Sequence, residues 1–431
     1  MQDSDTITLS PKSCLQGEIS VAPDKSISHR AIMCAALAFG KTRITNFLNG
    51  SDCLSTISCF NKLGVEIVAN NNFIEVSGSD FNLKKPDKIL DVGNSGTTLR
   101  LLSGILAGCN FDSVLDGDAS IKKRPLKRVT EPLAKMGAKF ELTNENFCPV
   151  KIIGGNLCGI NYNTPIASAQ VKSAIIFAAL QASSKTVILE KAITRDHTER
   201  MLKMFGANIK TDKNMIEINP VKRLIATDID IPSDISSAAY FIAAALITKN
   251  SEIKIKNVGL NPTRCYILKI LERMNADITI ENYKDGFEPT GDIIAKSSTL
   301  YGTVISGAEI PLIIDELPIL AVIASQSHGQ TIIKNAEELK FKESNRIDTV
   351  CSELKKCGVD IKKTDDGFII ESSKKINGAL FDSYNDHRIA MMCAIISLVS
   401  TSVCSIKDFE CTKVSFPGFF EILNNIGKTQ R

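Results

Sequence analysis

The stretch FNKLGVEI, residues 60–67, recurs along the chain as a helix end, a turn and a strand start. Close variants are LAKMGAKF at 133–140, LKMFGANI at 202–209, LERMNADI at 271–278 and LKKCGVDI at 354–361, with a shortened LNNIG at 423–427. Gly, or Asn in the fourth copy, suits a left-handed residue after a helix C-terminus. The turn residues are separated by 73, 69, 69, 83 and 69 positions, so we predict six copies of one α/β unit.

A second helix is predicted before most of these capped helices, and it lacks a polar face. SAIIFAALQA at 173–182 and SSAAYFIAAAL at 236–246 are examples. A helix that is apolar all round belongs in a core. We therefore predict an inside-out α/β fold, with buried helices, outer sheets and three units in each of two lobes. The predicted lobes are residues 1–18 with 233–431, and residues 19–232.

Composition excludes several classes of protein. The chain has 431 residues, 51 basic and 48 acidic side chains and no Trp, which argues against bulk electrostatic or stacking-based nucleic-acid binding. Its 13 cysteines include no C-x-x-C pair, and with only four His a zinc site is not expected. No apolar run reaches the ~18 residues of a membrane span, and the polar N-terminus lacks a signal core. We expect a soluble cytoplasmic protein with free thiols.

Cations stand at predicted helix starts, where the helix dipole should repel them. Lys25 and Arg30 flank Ser26 in APDKSISHRAIM, and a Gly/Ser/Thr loop at 91–104 carries Arg100 into the next helix. Five cations lie between Lys122 and Arg128. A solvated surface or ordinary capping explains each feature alone, but their recurrence at most unit entries predicts a basic cleft between the lobes for small anions.

Later segments repeat the pattern with carboxylates added. Ser168, Gln170 and Lys172 precede an apolar helix, and Arg195, Asp196 and His197 adjoin in one loop, for which caps and a salt-bridged loop are the plain interpretations. Asp315 and Glu316 precede another buried helix. Lys342 and Arg346 have helical i, i+4 spacing beside Glu343, which is unfavourable unless an anion lies between them. His387 and Arg388 begin a further apolar helix.

These blocks, in order along nearly the whole chain, resemble the 5-enolpyruvylshikimate-3-phosphate synthase family. The matching blocks are PDKSISHRA, GNSGTTLR, GDASIKKRP, ASAQVKSA, DISSAA, DELPI, KFKESNRI, DHRIAMM and SFPGFF. The resemblance implies two lobes of three βαβαββ units each. It also implies transfer of enolpyruvyl from phosphoenolpyruvate to the 5-hydroxyl of shikimate 3-phosphate, through a tetrahedral intermediate and with release of phosphate, in aromatic amino-acid biosynthesis.

The resemblance also implies the site residues. Those for shikimate 3-phosphate are Lys25, Ser26, Arg30, Ser168, Ala169, Gln170, Arg195, Asp315 and Lys342. Those for phosphoenolpyruvate are Lys25, Asn94, Gly96, Arg124, Gln170, Arg346, His387, Arg388 and Lys413. Many relatives carry Lys immediately before the terminal Ser-Phe-Pro, whereas Val414 stands there in this chain.

The implied catalytic residues are Asp315, Glu343 and Lys25. Asp315 would orient and deprotonate the attacking hydroxyl, and Glu343 would exchange a proton with the methylene carbon. We expect no metal, no organic cofactor, no nucleic acid and no membrane partner, and a monomer acting on two small substrates.

Two other functions compete with this interpretation. The sister enzyme that uses UDP-N-acetylglucosamine shares the repeat, but typically has Asn after its first active-site Lys and a reactive Cys in its basic loop. Here Ser26 follows Lys25, and Ala119 stands where that Cys would fall. A nucleic-acid-binding repeat protein is the second alternative, which the modest net charge of +3 and the carboxylates among the cations disfavour.

Overall fold

The recurring glycine turn ends an outer helix in the computed structural model, which describes residues 5–70, 72–373 and 375–429. Five turn residues have the predicted left-handed backbone, with φ of 84° at Gly64, 111° at Gly137, 89° at Gly206, 68° at Asn275 and 90° at Gly358. In each, the next N–H bonds back to the carbonyl five residues earlier, as from Val65 to Phe60 at 3.0 Å. The sixth copy differs, because Gly427 begins a strand directly.

The outer helices that these turns end have similar lengths and positions within each repeat. They are α2 (Ser51–Lys62), α4 (Lys127–Lys135), α6 (His197–Met204), α8 (Tyr266–Arg273), α11 (Arg346–Lys356) and α13 (Phe419–Asn425). A short additional helix, α9 (Ile310–Ile313), precedes the fifth inner helix. Single 3-10 turns occupy Ile121–Lys123, Gly307–Glu309, Glu337–Phe341 and Phe409–Val414.

The inner helices are buried nearly all round, as the absence of a polar face predicts. They are α1 (Lys25–Leu37), α3 (Gly96–Ala107), α5 (Ala169–Ala179), α7 (Ile235–Ile247), α10 (Leu317–Ser325) and α12 (His387–Ser397). Every residue of α10 and all but the last of α7 are buried. Helices α7, α10 and α12 pack on one another, and α3 packs on both α1 and α5. The predicted arrangement of inner helices is confirmed.

The strands are short and form six sheets. Those of residues 23–231 are β3 (Lys41–Thr45), β4 (Glu66–Ala69), β5 (Phe73–Ser77), β6 (Leu90–Asp91), β7 (Asp112–Asp116), β8 (Lys139–Thr143), β9 (Phe147–Ile153), β10 (Asn161–Asn163), β11 (Thr186–Leu189), β12 (Ile209–Asp212), β13 (Met215–Ile218) and β14 (Ile229–Asp230). The others are β1 (Thr6–Leu9), β2 (Lys12–Ile19), β15 (Glu252–Gly259), β16 (Asp277–Lys284), β17 (Thr290–Lys296), β18 (Val304–Ile305), β19 (Thr331–Ile333), β20 (Ile361–Lys363), β21 (Phe368–Ile370), β22 (Leu380–Asp382), β23 (Cys404–Lys407) and β24 (Gly427–Thr429).

Each sheet contains one parallel pair of strands. In four pairs an inner helix joins the two strands, and in the pairs β14·β3 and β2·β15 an inner helix directly precedes β3 or β15. The strand orders are β14-β3-β5-β4, β6-β7-β9-β8 and β10-β11-β13-β12 in one unit, and β16-β17-β15-β2-β24, β18-β19-β21-β20 and β1-β23-β22 in the other. The run β6-α3-β7-α4-β8-β9 shows the repeating βαβαββ order. The parallel pairs are β14·β3, β6·β7, β10·β11, β2·β15, β18·β19 and β22·β23.

The chain divides into two compact units, residues 1–22 with 232–431 and residues 23–231. The sequence predicts these boundaries at 18/19 and 232/233. Strand β2 continues to Ile19 and pairs in parallel with β15, so its last residue belongs with the later unit. Strand β14 precedes α7 in the chain but pairs with β3. In a regular repeat, β2 would pair with β3 and β14 with β15. Here β2 pairs with β15 and β14 pairs with β3, so the two strands have exchanged partners.

Among the described residues, no helix has both the length and the apolar character that a membrane-spanning helix requires.

Candidate active site

The first turn of α1 holds three of the predicted residues. Asp24 caps the helix by accepting the Ile27 N–H at 2.8 Å, which places Lys25 and Ser26 in the first turn. The Lys25 ammonium lies 2.5 Å from Asp52 Oδ2 on α2. The expectation that Lys25 is costly at this helix start is wrong, because Asp52 compensates its charge. Asp52 was missed as a partner of Lys25, since nothing local in the sequence links residues 25 and 52.

Arg30 differs from Lys25, because within the described residues its guanidinium hydrogen-bonds to neutral oxygens and not to a carboxylate. Its guanidinium donates to Thr198 Oγ1 at 2.6 Å, Ser173 Oγ at 3.0 Å and the Ser26 carbonyl at 3.0 Å. Burial lowers the pKa of Arg30 to about 10, and the nearby charge of Arg195 acts in the same direction, while Glu199 opposes it. A buried guanidinium bonded only to neutral oxygens favours binding of an anion.

His29, between these two cations in the sequence, is fully buried. Burial lowers its pKa to about 3 from an ordinary value of 6.5. A base whose pKa falls on folding contributes stability above its unfolded pKa, and that stability decreases as the pH falls towards the folded pKa.

We expect His29→Gln to flatten the pH dependence of stability on the acid side. Between pH 6.5 and about 5, the free energy of unfolding of the wild type should fall by up to ~1.4 kcal/mol more per pH unit than that of the variant. Urea unfolding at several pH values measures both slopes. His328→Gln, at an exposed histidine, is the matched control. Parallel slopes for wild type and His29→Gln would contradict the prediction.

The start of α3 and the basic loop after β7 come together. Ser95 caps α3 by accepting the Thr98 N–H at 3.1 Å, so that Gly96 is its first residue. Asn94 receives an Arg124 N–H at 2.7 Å and donates to Asp118 at 2.9 Å. A Cβ added at Gly96 would lie 3.3 Å from Arg124 Nη1 and 3.5 Å from Arg100 Nη1. Glycine therefore leaves room for two guanidinium groups beside the helix start, an arrangement suited to an anion.

We expect Gly96→Ala to weaken binding of phosphoenolpyruvate, the anion that the resemblance implies for this site, more than it slows turnover. The added methyl group would displace the flexible end of Arg124 by a few tenths of an ångström. A displaced guanidinium no longer meets its anion with good geometry, so the KM for phosphoenolpyruvate should rise by roughly 5–20-fold with a smaller change in kcat. Steady-state phosphate release measures both constants. Gly155→Ala, where an added Cβ meets nothing within 4 Å, is the control, and equal KM values for all three proteins would contradict the prediction.

The start of α5 lies beside the start of α3. Ser168 caps the helix and Ala169 is its first residue. Gln170 donates to Thr97 Oγ1 at 3.1 Å and accepts from Arg100, so α5 is tied to the start of α3. Lys172 is buried and lies 2.8 Å from Glu199 and 3.1 Å from Glu190, which makes it a structural ion pair. Asp196 pairs with Arg200 at 2.8 Å, as the plain interpretation of that loop predicts.

In the other unit, Asp315 lies among three cations. Its Oδ1 is 3.1 Å from Lys342 Nζ, 3.3 Å from Arg346 Nη1 and 3.9 Å from Arg388 Nε. The anion between Lys342 and Arg346 is thus a side chain of the protein. The inferred helical spacing of these two cations is wrong, because α11 begins only at Arg346 and Lys342 precedes it.

Arg346 is almost completely buried and contacts two more carboxylates. Its Nε lies 2.9 Å from Asp386 Oδ2 and its Nη2 3.2 Å from Asp386 Oδ1, while Nη2 also contacts Glu343. Burial acts to lower the pKa of Arg346, but Asp386 and Glu343 raise it above its ordinary value. Asp386 was missed by the sequence reasoning, although its place directly before His387, at the N-cap of α12, was a usable signal.

Arg388 and His387 occupy the first turn of α12, as predicted, and His387 is buried. Burial acts to lower the pKa of Arg388, and Asp315 raises it above the ordinary value. Lys413 behaves differently, because its side chain is 67% exposed and pairs with Glu410 one turn earlier. The structure therefore does not bring Lys413 into the Asp315 cluster, here meaning Asp315, Lys342, Glu343, Arg346, Asp386 and Arg388. The predicted cleft between the lobes stays a prediction.

The chain is similar to known proteins along nearly its whole length. The family model for EPSP synthase (3-phosphoshikimate 1-carboxyvinyltransferase) matches residues 9–423. The chain is 48% identical over 415 residues to the 3-phosphoshikimate 1-carboxyvinyltransferase of Bacillus cytotoxicus, covering 96% of this chain and 98% of the relative. It is 49% identical over 417 residues to that of Bacillus thuringiensis, covering 96% and 97%. An EPSP synthase structure from Acinetobacter baumannii superposes with a TM-score of 0.88 at 43% identity, covering 98% of both chains. The chain belongs to the EPSP synthase family of 3-phosphoshikimate 1-carboxyvinyltransferases.

Proposed function

We propose that the chain transfers the enolpyruvyl group of phosphoenolpyruvate to the 5-hydroxyl of shikimate 3-phosphate, releasing phosphate. The observation that carries this proposal is the family match across residues 9–423. The reaction belongs to aromatic amino-acid biosynthesis by the shikimate pathway. The cations and carboxylates described above supply the groups that this transfer needs.

Shikimate 3-phosphate carries a phosphate and a carboxylate, and we assign it to helix starts that carry cations. Arg30 is the strongest support, because it is buried with only neutral oxygen partners. Arg195 is close enough to lower the pKa of Arg30, while Glu199 and Asp24 raise it more strongly, so two guanidinium groups lie near this helix start, where an anion can bind. The complete proposed set for this substrate is Lys25, Ser26, Arg30, Ser168, Ala169, Gln170, Arg195, Asp315 and Lys342.

Phosphoenolpyruvate is assigned to the paired guanidinium groups beside Gly96 and to the cations around Asp315. The room at Gly96 supports the first contact, since a side chain there would meet Arg124. Charge-assisted bonds from Arg contribute about 1.5–3 kcal/mol each, so several of them offset the repulsion between two anionic substrates. The proposed set is Lys25, Asn94, Gly96, Arg124, Gln170, Arg346, His387, Arg388 and Lys413, of which Lys413 has the least structural support.

Asp315 and Glu343 supply the proton transfers in the proposed mechanism. Asp315 orients the 5-hydroxyl and takes its proton as the oxygen bonds to the phosphate-bearing carbon of phosphoenolpyruvate, while Glu343 gives a proton to the methylene carbon. The resulting tetrahedral intermediate loses phosphate by cleavage of its C–O bond, and the leaving phosphate takes up the proton that Asp315 held. Glu343 takes back a proton from the methyl group to restore the double bond. Three cations next to Asp315 favour its ionised form, which a base requires. Every step uses acid–base chemistry of side chains, so the mechanism calls for no cofactor.

We further propose that the protein acts as a monomer in the cytoplasm. All 13 cysteines are free thiols in the structure, which suits a reducing compartment.

Phosphate release from phosphoenolpyruvate, measured with each acceptor in turn, tests the proposal. Turnover is expected with shikimate 3-phosphate and not with UDP-N-acetylglucosamine. Turnover with the sugar nucleotide alone would assign the chain to the sister reaction. Salt-dependent binding of RNA or DNA without any affinity for shikimate 3-phosphate would favour the nucleic-acid alternative.

A further inference from the structure

A chain of buried side-chain hydrogen bonds joins α1, α2 and α3. His29 Nδ1 lies 2.7 Å from Thr56 Oγ1, Thr56 Oγ1 lies 2.7 Å from Thr98 Oγ1, and Thr98 Oγ1 donates to Ser95 Oγ at 2.7 Å. All four side chains are 0% exposed. We call these four residues the His29–Ser95 relay. None of them has a place in the reaction assigned above.

The direction of the hydrogen bond from Thr98 to Ser95 determines which group donates in the other two bonds. Thr98 gives its only hydroxyl proton to Ser95, so Thr98 must accept from Thr56 and Thr56 from His29. His29 therefore carries its proton on Nδ1, and its Nε2 has no hydrogen-bond partner in the part of the chain that the structure describes. The depressed pKa agrees with this neutral ring. A one-way chain of this kind polarises each bond in the same sense, which strengthens it.

A second contact beside the relay fixes the same helices. Lys25 and His29 are one turn apart on α1, and Asp52 and Thr56 are one turn apart on α2. Lys25 pairs with Asp52 at 2.5 Å and His29 with Thr56 at 2.7 Å, so the two helices meet through two successive contacts. Thr56 then continues to Thr98 on α3. Helix α2 is thus bonded to the first turns of both α1 and α3.

The ends of the relay adjoin the two groups of substrate residues. His29 lies next to Arg30 and one turn after Lys25, while Ser95 stands between Asn94 and Gly96. We propose that His29, Thr56 and Thr98 are positioning residues, which fix the loop of residues 94–96 relative to the start of α1. This inference rests on the proposed function, because it assigns phosphoenolpyruvate to that loop. Two reacting molecules must be held in a near-attack geometry, so small displacements of one site relative to the other slow the reaction.

Loss of the relay should weaken binding of phosphoenolpyruvate more than binding of shikimate 3-phosphate. Without the relay, the start of α1 keeps its cap from Asp24, the Lys25–Asp52 pair and the Arg30 bonds. The loop of residues 94–96 keeps its helix cap and the Asn94 bonds to Arg124 and Asp118, but it loses its hydrogen-bonded connection to α2 and α1. Loss of the relay should therefore loosen the loop of residues 94–96, which is assigned to phosphoenolpyruvate, and leave the start of α1, which is assigned to shikimate 3-phosphate, in place.

The test uses the isosteric variants Thr56→Val and Thr98→Val in the full-length protein, each of which removes two of the three hydrogen bonds of the relay. Both should raise the KM for phosphoenolpyruvate about tenfold, with less than about a twofold change in the KM for shikimate 3-phosphate. Since both cut one chain, the double variant should show no larger effect than the stronger single variant. Thr56→Ser keeps the hydroxyl and should restore the wild-type KM.

Two controls separate positioning from ordinary destabilisation. Thr42→Val changes a fully buried threonine of the same unit whose hydroxyl has no partner within the described residues, and Ser103→Ala removes a 2.7 Å bond internal to α3. Both should leave the two KM values unchanged even where thermal stability falls.

Lowered melting temperatures with wild-type KM values in both valine variants would overturn the positioning role and leave the proposed function standing. A larger rise in the KM for shikimate 3-phosphate than for phosphoenolpyruvate would also overturn it. Should Thr56→Val not fold, Thr98→Val alone decides. Absence of turnover by the wild type with these substrates would overturn both proposals.

Discussion

Asp315→Asn is expected to fold normally and to lose about 10³-fold or more in kcat, within the range that general-base groups supply. The amide has nearly the shape of the carboxylate but neither its charge nor its basicity, so the attacking hydroxyl loses its proton acceptor. Folding should persist because Arg346, the most buried of the three neighbouring cations, keeps Asp386 and Glu343 as partners. The KM for phosphoenolpyruvate should not rise, because removing a negative charge strengthens the field of the cations.

Steady-state kinetics and thermal unfolding of Asp315→Asn test this expectation together. Asp348→Asn is the matched control, because Asp348 is an exposed aspartate of the same unit that pairs with Lys363 on the surface. That control should keep wild-type kinetics, since exposed ion pairs contribute little. A kcat within tenfold of the wild type would remove Asp315 from the role of base.

Asp386→Ala should be the most destabilising of the substitutions considered, at about 3–5 kcal/mol. The guanidinium of Arg346 is nearly inaccessible to water, and the variant removes the two bonds that Asp386 makes with it. It also removes acceptors for Ser344 Oγ and for the Arg388 N–H at the start of α12. Loss of this carboxylate leaves a buried charge with less compensation, and α12 without its cap.

Chemical denaturation of Asp386→Ala measures the loss, with Asp348→Ala as the control expected within about 1 kcal/mol of the wild type. The pH dependence gives a second readout. Burial acts to raise the pKa of Asp386, but the Arg346 guanidinium outweighs it and lowers that pKa. The stabilisation is therefore complete above the ordinary aspartate pKa near 4 and is lost as the pH falls below it, a loss that the variant should not show. A variant as stable as the wild type would show that Arg346 does not depend on Asp386.

The repeat and the buried helices could be predicted because their signals are local. A glycine after a helix end, as at Gly64 or Gly358, favours a left-handed backbone through its own lack of a side chain. The absence of a polar face in α7 and α10 likewise requires burial. The last repeat departed from the pattern because Gly427 enters a strand beside β2, a pairing with the opposite end of the chain.

The charge partners of the site could not be predicted for the opposite reason. Asp52 reaches Lys25 and Asp386 reaches Arg346 only after separate helices pack together. The sequence therefore indicated an excess of cations awaiting substrate, whereas the structure shows several of them already balanced by the protein. The prediction that Lys342 and Arg346 lie one turn apart on a helix was wrong, because α11 begins only at Arg346.

The exchange of β2 and β14 has a consequence for synthesis on the ribosome. Strand β2 emerges among the first residues, yet its parallel partner β15 is made only after the whole of the 23–231 unit. That unit can close as soon as β14 has joined β3, while β2 has no parallel partner until β15 has been made. Truncations that end before β15 would therefore leave β2 with an unsatisfied strand edge, which only translation beyond residue 231 can begin to cover.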